Sequence, residues 1–264
     1  MSVLHAKDRP TVSGTVAVSR NADADADADA DDNRQQRAGG VAALYLAAAY
    51  LVAMPYFLIV VDYTSLTDPA QQVAALVEHR TSMYGMHVLT LVVFGIVLAM
   101  LTLALWKRLA GSPTIAAAGG VVGLIWAGTL VASGLVFNFG AASVADLNAT
   151  SPTRAASAWE AIDTVANGLG SAGGELLGGL WVLLVSVAAL RTGALPKALN
   201  WLGVVIGVAG IASAIPPLLD GRYVFGLLQI LWLIWLGVVM LRTPPAGRPR
   251  GHASRQDNQP APTK

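Results

Sequence analysis

The stretch DTVANGLGSAGGELLGGLWVLLVSVAAL, residues 163–190, begins with Asp163 and places a second carboxylate, Glu175, inside a long apolar run. A run of about 20 apolar residues is the length of helix that crosses a hydrocarbon core ~30 Å thick. Five further runs of this kind occupy residues 40–61, 82–106, 114–137, 198–218 and 223–241. The sequence therefore predicts an all-α fold, a bundle of six transmembrane helices.

The composition indicates that most of the chain is surrounded by lipid. Of the 264 residues, 55% are hydrophobic and 12% are charged, whereas an ordinary soluble domain has roughly 25% charged residues. The absence of cysteine excludes disulfides, iron–sulfur clusters and thiolate zinc sites. A net charge of +1 offers no basic surface for nucleic acid. We expect membrane lipid as a partner, and no metal, cofactor or nucleic acid.

The segments that flank the apolar runs are polar. Residues 1–37 include the repeat NADADADADADD at positions 21–32, and residues 243–264 are rich in proline and arginine. Neither segment can bury enough apolar surface to offset the entropy of ordering. The sequence thus predicts a disordered Asp/Ala-rich tail (1–37), a six-helix transmembrane domain (38–242) and a disordered C-terminal tail (243–264).

The distribution of lysine and arginine predicts the orientation of the helices. When the loops on alternate sides of the six runs are compared, 14 of the 17 Lys and Arg residues fall on one side. The other side has only Arg80, Arg154 and Arg222. Because cytoplasmic loops of membrane proteins carry an excess of basic residues, we expect a multi-pass protein of the cell membrane with both termini in the cytoplasm.

The fourth apolar run contains the candidate site. On a helical wheel, one face of this run carries both glycines and polar residues, namely Gly170, Gly174, Gly178, Asn167, Ser171 and Glu175. Glycines four positions apart allow two membrane helices to pack closely, and Gly203 and Gly207 repeat this spacing in the fifth run. Glu175 precedes Leu190 by fifteen positions, so it lies ~22 Å into the hydrocarbon core, in its outer third.

Two interpretations of this buried acid remain open. An ionisable residue inside a membrane marks a functional site by default, and we expect a polar pocket that binds a small ligand or relays protons. Its candidate residues are Glu175, His87, Gln229, Asn167 and Ser171. In the other interpretation Glu175 is protonated or hydrogen-bonded and holds helices together, a contribution of about 1 kcal/mol.

The functional expectation follows from these two interpretations. The first hypothesis is a structural or regulatory membrane protein that is not an enzyme, with a second copy of itself or another membrane protein as its partner. The alternative is a small-molecule or proton-coupled transporter that uses the pocket around Glu175. A sealed face around Glu175 would favour the structural role, and a water-filled cavity would favour transport.

The stretch LRTGALPKALNWLGVVIGVAGI, residues 190–211, resembles the bacterial membrane family known as domain of unknown function 4386. The similarity rests on the turn residues Leu190, Arg191, Thr192, Gly193, Leu195, Pro196 and Lys197. Residues 200–203 depart from the usual glycine placement of that family, and residues 168–242 resemble it better than the first half does. The resemblance implies six helices in a bacterial cytoplasmic membrane and supplies no activity and no catalytic residue.

Overall fold

The computed structural model describes residues 12–171, 175–215, 218 and 221–243. These residues form helices and contain no β-strand, so the all-α fold predicted from the sequence is confirmed. The α-helices are α1 (Val12–Pro55), α2 (Pro69–Glu78), α3 (Arg80–His87), α4 (Phe94–Arg108), α5 (Pro113–Asn148), α6 (Pro152–Ala166), α7 (Leu176–Thr192), α8 (Lys197–Ala212) and α9 (Gly221–Arg242). Short π-helical segments continue three of them: π1 (Tyr56–Val60) follows α1, π2 (Val88–Val93) joins α3 to α4, and π3 (Asn167–Ser171) follows α6.

Four stretches are long and apolar enough to cross a membrane by length and composition. They are Ala30–Val60, Arg80–Arg108, Pro113–Asn148 and Val224–Arg242. Helices α7 and α8 are equally apolar but have only 17 and 16 residues, which at 1.5 Å per residue gives about 26 and 24 Å. Several apolar helices are thus compatible with a membrane protein, as the sequence predicts.

The apolar helices form a closed ring around one buried core. Helix α1 contacts α4 and α9, α5 lies between α4 and α7, and α8 lies between α7 and α9. Three indole rings contact one another in this core, Trp126 with Trp181 at 5.7 Å and Trp181 with Trp232 at 5.9 Å between ring centroids. Two of them, Trp181 and Trp232, are almost completely buried, so large apolar side chains fill the middle of the ring.

Helices α7 and α8 approach so closely that their backbones touch. A Cβ atom added at Gly179 would lie 2.7 Å from the backbone nitrogen of Ile211 and 2.8 Å from the carbonyl oxygen of Gly207. Only a residue without a side chain fits such a contact, and small residues at helix interfaces serve this purpose in membranes.

A second buried cluster lies beyond one end of the ring. Helix α5 has 36 residues and is therefore about 54 Å long, nearly twice the thickness of a ~30 Å hydrocarbon core. Its last turns pack against α2 and α6 around the buried side chains of Leu76, Val144 and Trp159. We call α2, α6 and residues 137–148 of α5 the cap. Its helices were not predicted from the sequence, although Pro69 and Pro152 each occupy the first helical turn, a position that proline favours.

The structure does not confirm a disordered segment over residues 12–37. Helix α1 begins at Val12 and continues without a break into the apolar run. Alanine is the best helix former, and a helix that extends from an existing one has no new nucleation cost. Residues 1–11 and 244–264, the remainder of the two predicted tails, lie outside the described residues.

The fourth apolar run is not one continuous helix. It consists of the end of α6, the segment π3 and helix α7, and residues 172–174 lie outside the described residues. Gly168 and Gly170 fall in π3, and glycine weakens a helix by about 1 kcal/mol relative to alanine. The helical wheel drawn through residues 163–190 therefore does not describe which of these side chains share a face.

Candidate functional site

A half-enclosed cavity of about 200 Å³ lies between α1, α5, the segment from the end of α3 to α4, and the residues Gly170 and Glu175. Its polar wall residues are Tyr50, His87, Thr90 and Glu175, and Phe57 and Phe94 contribute aromatic surface. Small aliphatic residues complete the described wall, which contains no lysine or arginine. The cavity thus combines one carboxylate and one imidazole with a mainly apolar lining.

The cavity lies far from the basic ends of the helices. Glu175 precedes Arg191 by sixteen positions in the chain, about 24 Å along a helix axis, and Thr90 precedes Arg108 by about 27 Å. Both distances exceed half of a ~30 Å hydrocarbon core. If the basic residues mark one membrane surface, the cavity is in the opposite half of the ring.

Two π-helical segments and the kink at Gly170 contribute to the wall of this cavity. Phe57 belongs to π1, Thr90 belongs to π2, and Gly170 belongs to π3. Glu175 directly precedes the first residue of α7. π-helical turns are rare overall and are frequently found at functional sites, so the two that meet here favour this cavity as the candidate site.

The imidazole of His87 is held in one orientation. Its Nδ1 lies 2.8 Å from the carbonyl oxygen of Met83, and because a carbonyl can only accept, Nδ1 carries the proton. The ring stacks on Phe137 with centroids 3.5 Å apart and meets the edge of Phe57 at 5.1 Å. In the neutral imidazole the other nitrogen, Nε2, is then a hydrogen-bond acceptor.

The backbone at Glu175 is tied to helix α8. Its N–H donates to the hydroxyl oxygen of Ser213 at 3.0 Å, and the Ser213 hydroxyl donates to the carbonyl oxygen of Gly210 at 2.7 Å. Ser213 is completely buried, and Glu175 is half-buried. This pair of hydrogen bonds fixes where α7 begins, and with it the position of Glu175 in the wall.

The structure brings together two of the five predicted site residues. Glu175 and His87 line the same cavity. Gln229 is buried in α9 and Asn167 lies in π3, and neither is part of the wall. Ser171 ends π3, but its side chain lies outside the described part of the structure. Tyr50, Thr90 and Phe57 were missed because nothing in their local sequence indicates that α1 and π2 face Glu175.

The glycines that were predicted to pack helices together have different neighbours in the structure. A Cβ atom at Gly178 would lie 2.8 Å from the rings of Phe225 and Trp126. Gly203 lies against Ser186 and Trp232, and Gly207 lies against Leu183 and the carbonyl oxygen of Gly179. Gly170 borders the cavity, and Gly174 is outside the described residues.

A hydrogen-bond network links helix α6 of the cap to Tyr63 and to the segment π3. Trp159 Nε1 donates to the hydroxyl oxygen of Tyr63 at 2.8 Å, and Tyr63 donates to Asp163 Oδ1 at 3.5 Å. Asn167 Nδ2 donates to Asp163 Oδ2 at 2.8 Å. Burial raises the pKa of Asp163 above its ordinary value, although the bonds from Tyr63 and Asn167 oppose this rise. Because Asn167 begins π3, the network connects the cap with one wall of the cavity.

A second network closes the opposite end of the ring. Arg108 Nη1 donates to Gln36 Oε1 at 2.6 Å, and Arg108 Nη2 donates to the carbonyl oxygen of Ala194 at 3.0 Å. Gln36 Nε2 donates to the carbonyl oxygens of Met240 and Thr243. The two side chains thus join the middle of α1 and the C-terminal ends of α4 and α9 to the turn between α7 and α8.

Comparison with protein-family models, with curated proteins and with solved structures found no match for this chain. The described residues contain no group of three or more His, Cys, Asp or Glu side chains placed to hold a metal ion. The fold and the site together define a class: an all-helical protein with several membrane-compatible helices around an internal cavity.

Proposed function

We propose that this protein is a six-span integral membrane protein that binds a small solute in the cavity around Glu175 and His87 and is not an enzyme. The observation that carries the proposal is the convergence of two π-helical segments, the kink at Gly170 and the start of α7 on one cavity with a carboxylate and an imidazole. Solute binding serves a regulatory role in this proposal, and a purely structural role does not account for the open space.

The size of the cavity favours a small organic solute. An engineered protein cavity of about 150 Å³ binds benzene, which has six non-hydrogen atoms. In proportion, the ~200 Å³ beside Glu175 has room for about eight such atoms. A glutamate that served only to join helices would be enclosed by its partners, whereas here it borders open volume.

The proposed topology has both termini on the cytoplasmic side. Arg108, Arg191, Lys197 and Arg242 lie at helix ends on one side of the ring, as the excess of basic residues in cytoplasmic loops requires. In this arrangement residues 167–192 form the fourth span and α8 forms the fifth. Fluorescent or enzymatic tags fused to each terminus should report the same compartment, and opposite compartments would refute the topology.

We place the protein in a bacterial cytoplasmic membrane for two reasons. The first is the position of the basic residues at the helix ends, and the second is the turn that resembles the domain of unknown function 4386. That turn has Gly193 in the left-handed conformation, φ 66°, followed by the buried Leu195 and by Pro196 at the start of α8. Glycine adopts this conformation without strain and commonly ends helices in this way.

Cysteine labelling tests the accessibility of the cavity. The natural chain has no cysteine, so Ala53→Cys gives a single thiol in the cavity wall. A small membrane-impermeant methanethiosulfonate reagent added to intact cells should modify this thiol. Ser143→Cys on the exposed face of the cap is the positive control, and the buried Ser186→Cys, closer to the basic end of α7, is the negative control. If Ala53→Cys reacts no faster than Ser186→Cys, the cavity is sealed and the proposal fails.

Transport is a second candidate, favoured by the departure from helical geometry at Gly170 (φ 160°, ψ 7°). Spans broken near a binding site are a common feature of secondary transporters, because the break lets the two halves of a span move separately. Protein reconstituted into vesicles with a trapped pH indicator should conduct protons faster than the Glu175→Gln variant does. Equal proton fluxes in the natural chain and in Glu175→Gln would refute proton transport through Glu175 and would leave the proposal of solute binding standing.

A further inference from the structure

We infer that the cavity beside Tyr50 and His87 takes an uncharged aromatic solute that carries a hydroxyl group and has about eight non-hydrogen atoms in all. The inference rests on the proposed solute-binding function and specifies the chemistry of the solute. Three features of the described wall carry it: a hydrogen-bond donor without a partner, an acceptor without a partner, and aromatic rings around a mainly apolar space.

Tyr50 supplies the donor. Its ring meets Phe94 edge to face, with centroids 5.3 Å apart, and its hydroxyl lies close enough to Glu175 for the two groups to interact electrostatically. Among the described residues none forms a hydrogen bond with this hydroxyl. Four other tyrosines each form a hydrogen bond through the hydroxyl: Tyr45, Tyr56, Tyr63 and Tyr84. A tyrosine hydroxyl away from bulk water usually has a partner, so the hydroxyl in the cavity wall is available to a bound molecule.

His87 supplies the acceptor. Its side chain is 7% exposed, and its Nδ1–H donates to the carbonyl oxygen of Met83, which leaves Nε2 as the acceptor. No residue in the described part of the chain donates to Nε2. Because this deeply buried side chain lines the cavity, a molecule bound there is the available donor.

A hydroxyl group matches this wall because it both donates and accepts. It can accept from the Tyr50 hydroxyl, donate to Nε2 of His87, or do both. It is also compatible with either protonation state of Glu175, since a hydroxyl donates to a carboxylate and accepts from a carboxyl group. Neither the charge of Glu175 nor its contacts with the rest of the protein enters into this match.

The rest of the wall suits an aromatic body. Phe57 contacts the His87 ring at 5.1 Å between centroids, and Tyr50 and Phe94 form a second ring pair. Aromatic rings attract one another in such edge-to-face or offset arrangements, with centroids 4.5–7 Å apart. The volume of about 200 Å³ holds one ring with a short side chain. A sugar is larger than this and would bury more hydroxyl groups than the wall can pair.

Benzyl alcohol and ethylbenzene provide a matched pair of probes. Both have one aromatic ring and the same number of non-hydrogen atoms, and a methyl group in ethylbenzene replaces the hydroxyl. Binding of each radiolabelled compound to the purified protein in nanodiscs is measured by equilibrium dialysis, and binding to empty nanodiscs is subtracted. The ratio of the two dissociation constants is compared between variants, because the apolar contribution that both compounds share cancels in this ratio.

Two substitutions remove the proposed partners of the hydroxyl and keep an aromatic ring in place. Tyr50→Phe removes the donor, and His87→Phe removes the acceptor. Loss of one hydrogen bond to the solute should weaken benzyl alcohol about two- to tenfold relative to ethylbenzene. Tyr84→Phe is the matched control, because the Tyr84 hydroxyl accepts from Arg80 Nε and is not part of the described wall. The ratio should not change in this control, and His87→Phe provides the test should Tyr50→Phe fail to fold.

The outcomes separate this inference from the proposed function. A ratio that changes in neither Tyr50→Phe nor His87→Phe, or that changes as much in Tyr84→Phe, overturns the recognition of a hydroxyl and leaves solute binding intact. If the natural chain binds neither probe while Ala53→Cys is labelled rapidly, the aromatic solute is wrong and the accessible cavity stands. If Ala53→Cys is also unreactive, both conclusions fall.

Discussion

The backbone contact between α7 and α8 makes the cost of one added methyl group predictable. In Gly179→Ala the new Cβ would lie 2.7 Å from the backbone nitrogen of Ile211, whereas ordinary contacts begin at 3.4 Å. The nearest atoms all belong to the backbone of α8 and cannot rotate away. The two helices must therefore separate by about 0.7 Å, and overpacking of this kind costs about 1–3 kcal/mol.

Gly128→Ala is the matched control. Gly128 lies on the exposed face of α5, and no atom lies within 4 Å of the Cβ that the substitution would add. Here only the helix propensity changes, which favours alanine over glycine by about 0.8–1.0 kcal/mol. The two substitutions make the same chemical change and are expected to have effects of opposite sign.

The assay is reversible unfolding in mixed micelles, in which sodium dodecyl sulfate is titrated into the purified protein and far-UV circular dichroism is recorded. Gly179→Ala should unfold at a lower detergent fraction than the natural chain, and Gly128→Ala at the same or a higher one. The expected difference in unfolding free energy between the variants is about 1–3 kcal/mol, because the gain in helix propensity is common to both. Equal stability of the two variants would refute the close contact between α7 and α8.

Three further predictions concern hydrogen bonds and titration. Ser213→Ala removes the acceptor of the Glu175 N–H and should cost about 1 kcal/mol in the same unfolding assay, whereas Ser143→Ala in the cap should have no effect. Because burial raises the pKa of Asp163 above 3.8, the folded protein binds this proton more readily than the unfolded chain; the resulting stability is complete at low pH and is lost as pH rises through the raised pKa. The unfolding temperature of the natural chain should therefore fall between pH 4 and pH 7 relative to that of Asp163→Asn. If the unfolding temperatures of the two proteins change in parallel with pH, the raised pKa of Asp163 is contradicted. Gln36→Leu leaves the half-buried guanidinium of Arg108 without one acceptor and should lower the unfolding free energy by about 1–3 kcal/mol; Gln35→Leu, one position away, should not.

The all-α class could be predicted because it depends on local properties of the chain. A stretch such as Arg80–Arg108 is long and apolar wherever its neighbours lie. The backbone of an apolar stretch surrounded by lipid must satisfy its own hydrogen bonds, which a helix does. The basic residues at helix ends are also local features. The depth of Glu175 in a membrane follows only from counting residues and stays a prediction.

The helix boundaries were harder to predict, for reasons that the fourth run illustrates. Hydropathy alone continues from Val165 to Leu190, yet the chain leaves α-helical geometry at π3. Glycine-rich sequence is compatible with a tightly packed helix and with a break, and the surrounding contacts decide between them. In α8, Gly203 and Gly207 stay helical because α7 and α9 pack directly against them.

The sequence by itself determined that the chain forms apolar helices with basic ends and that one acid lies among them, since length, hydropathy and charge are read along the chain. Only the tertiary structure decided that Tyr50, His87, Thr90 and Glu175 surround one cavity. These residues come from segments far apart in sequence, and their meeting depends on the order in which the helices close the ring. No local pattern encodes that order, because each helix buries its apolar face about equally well against several neighbours.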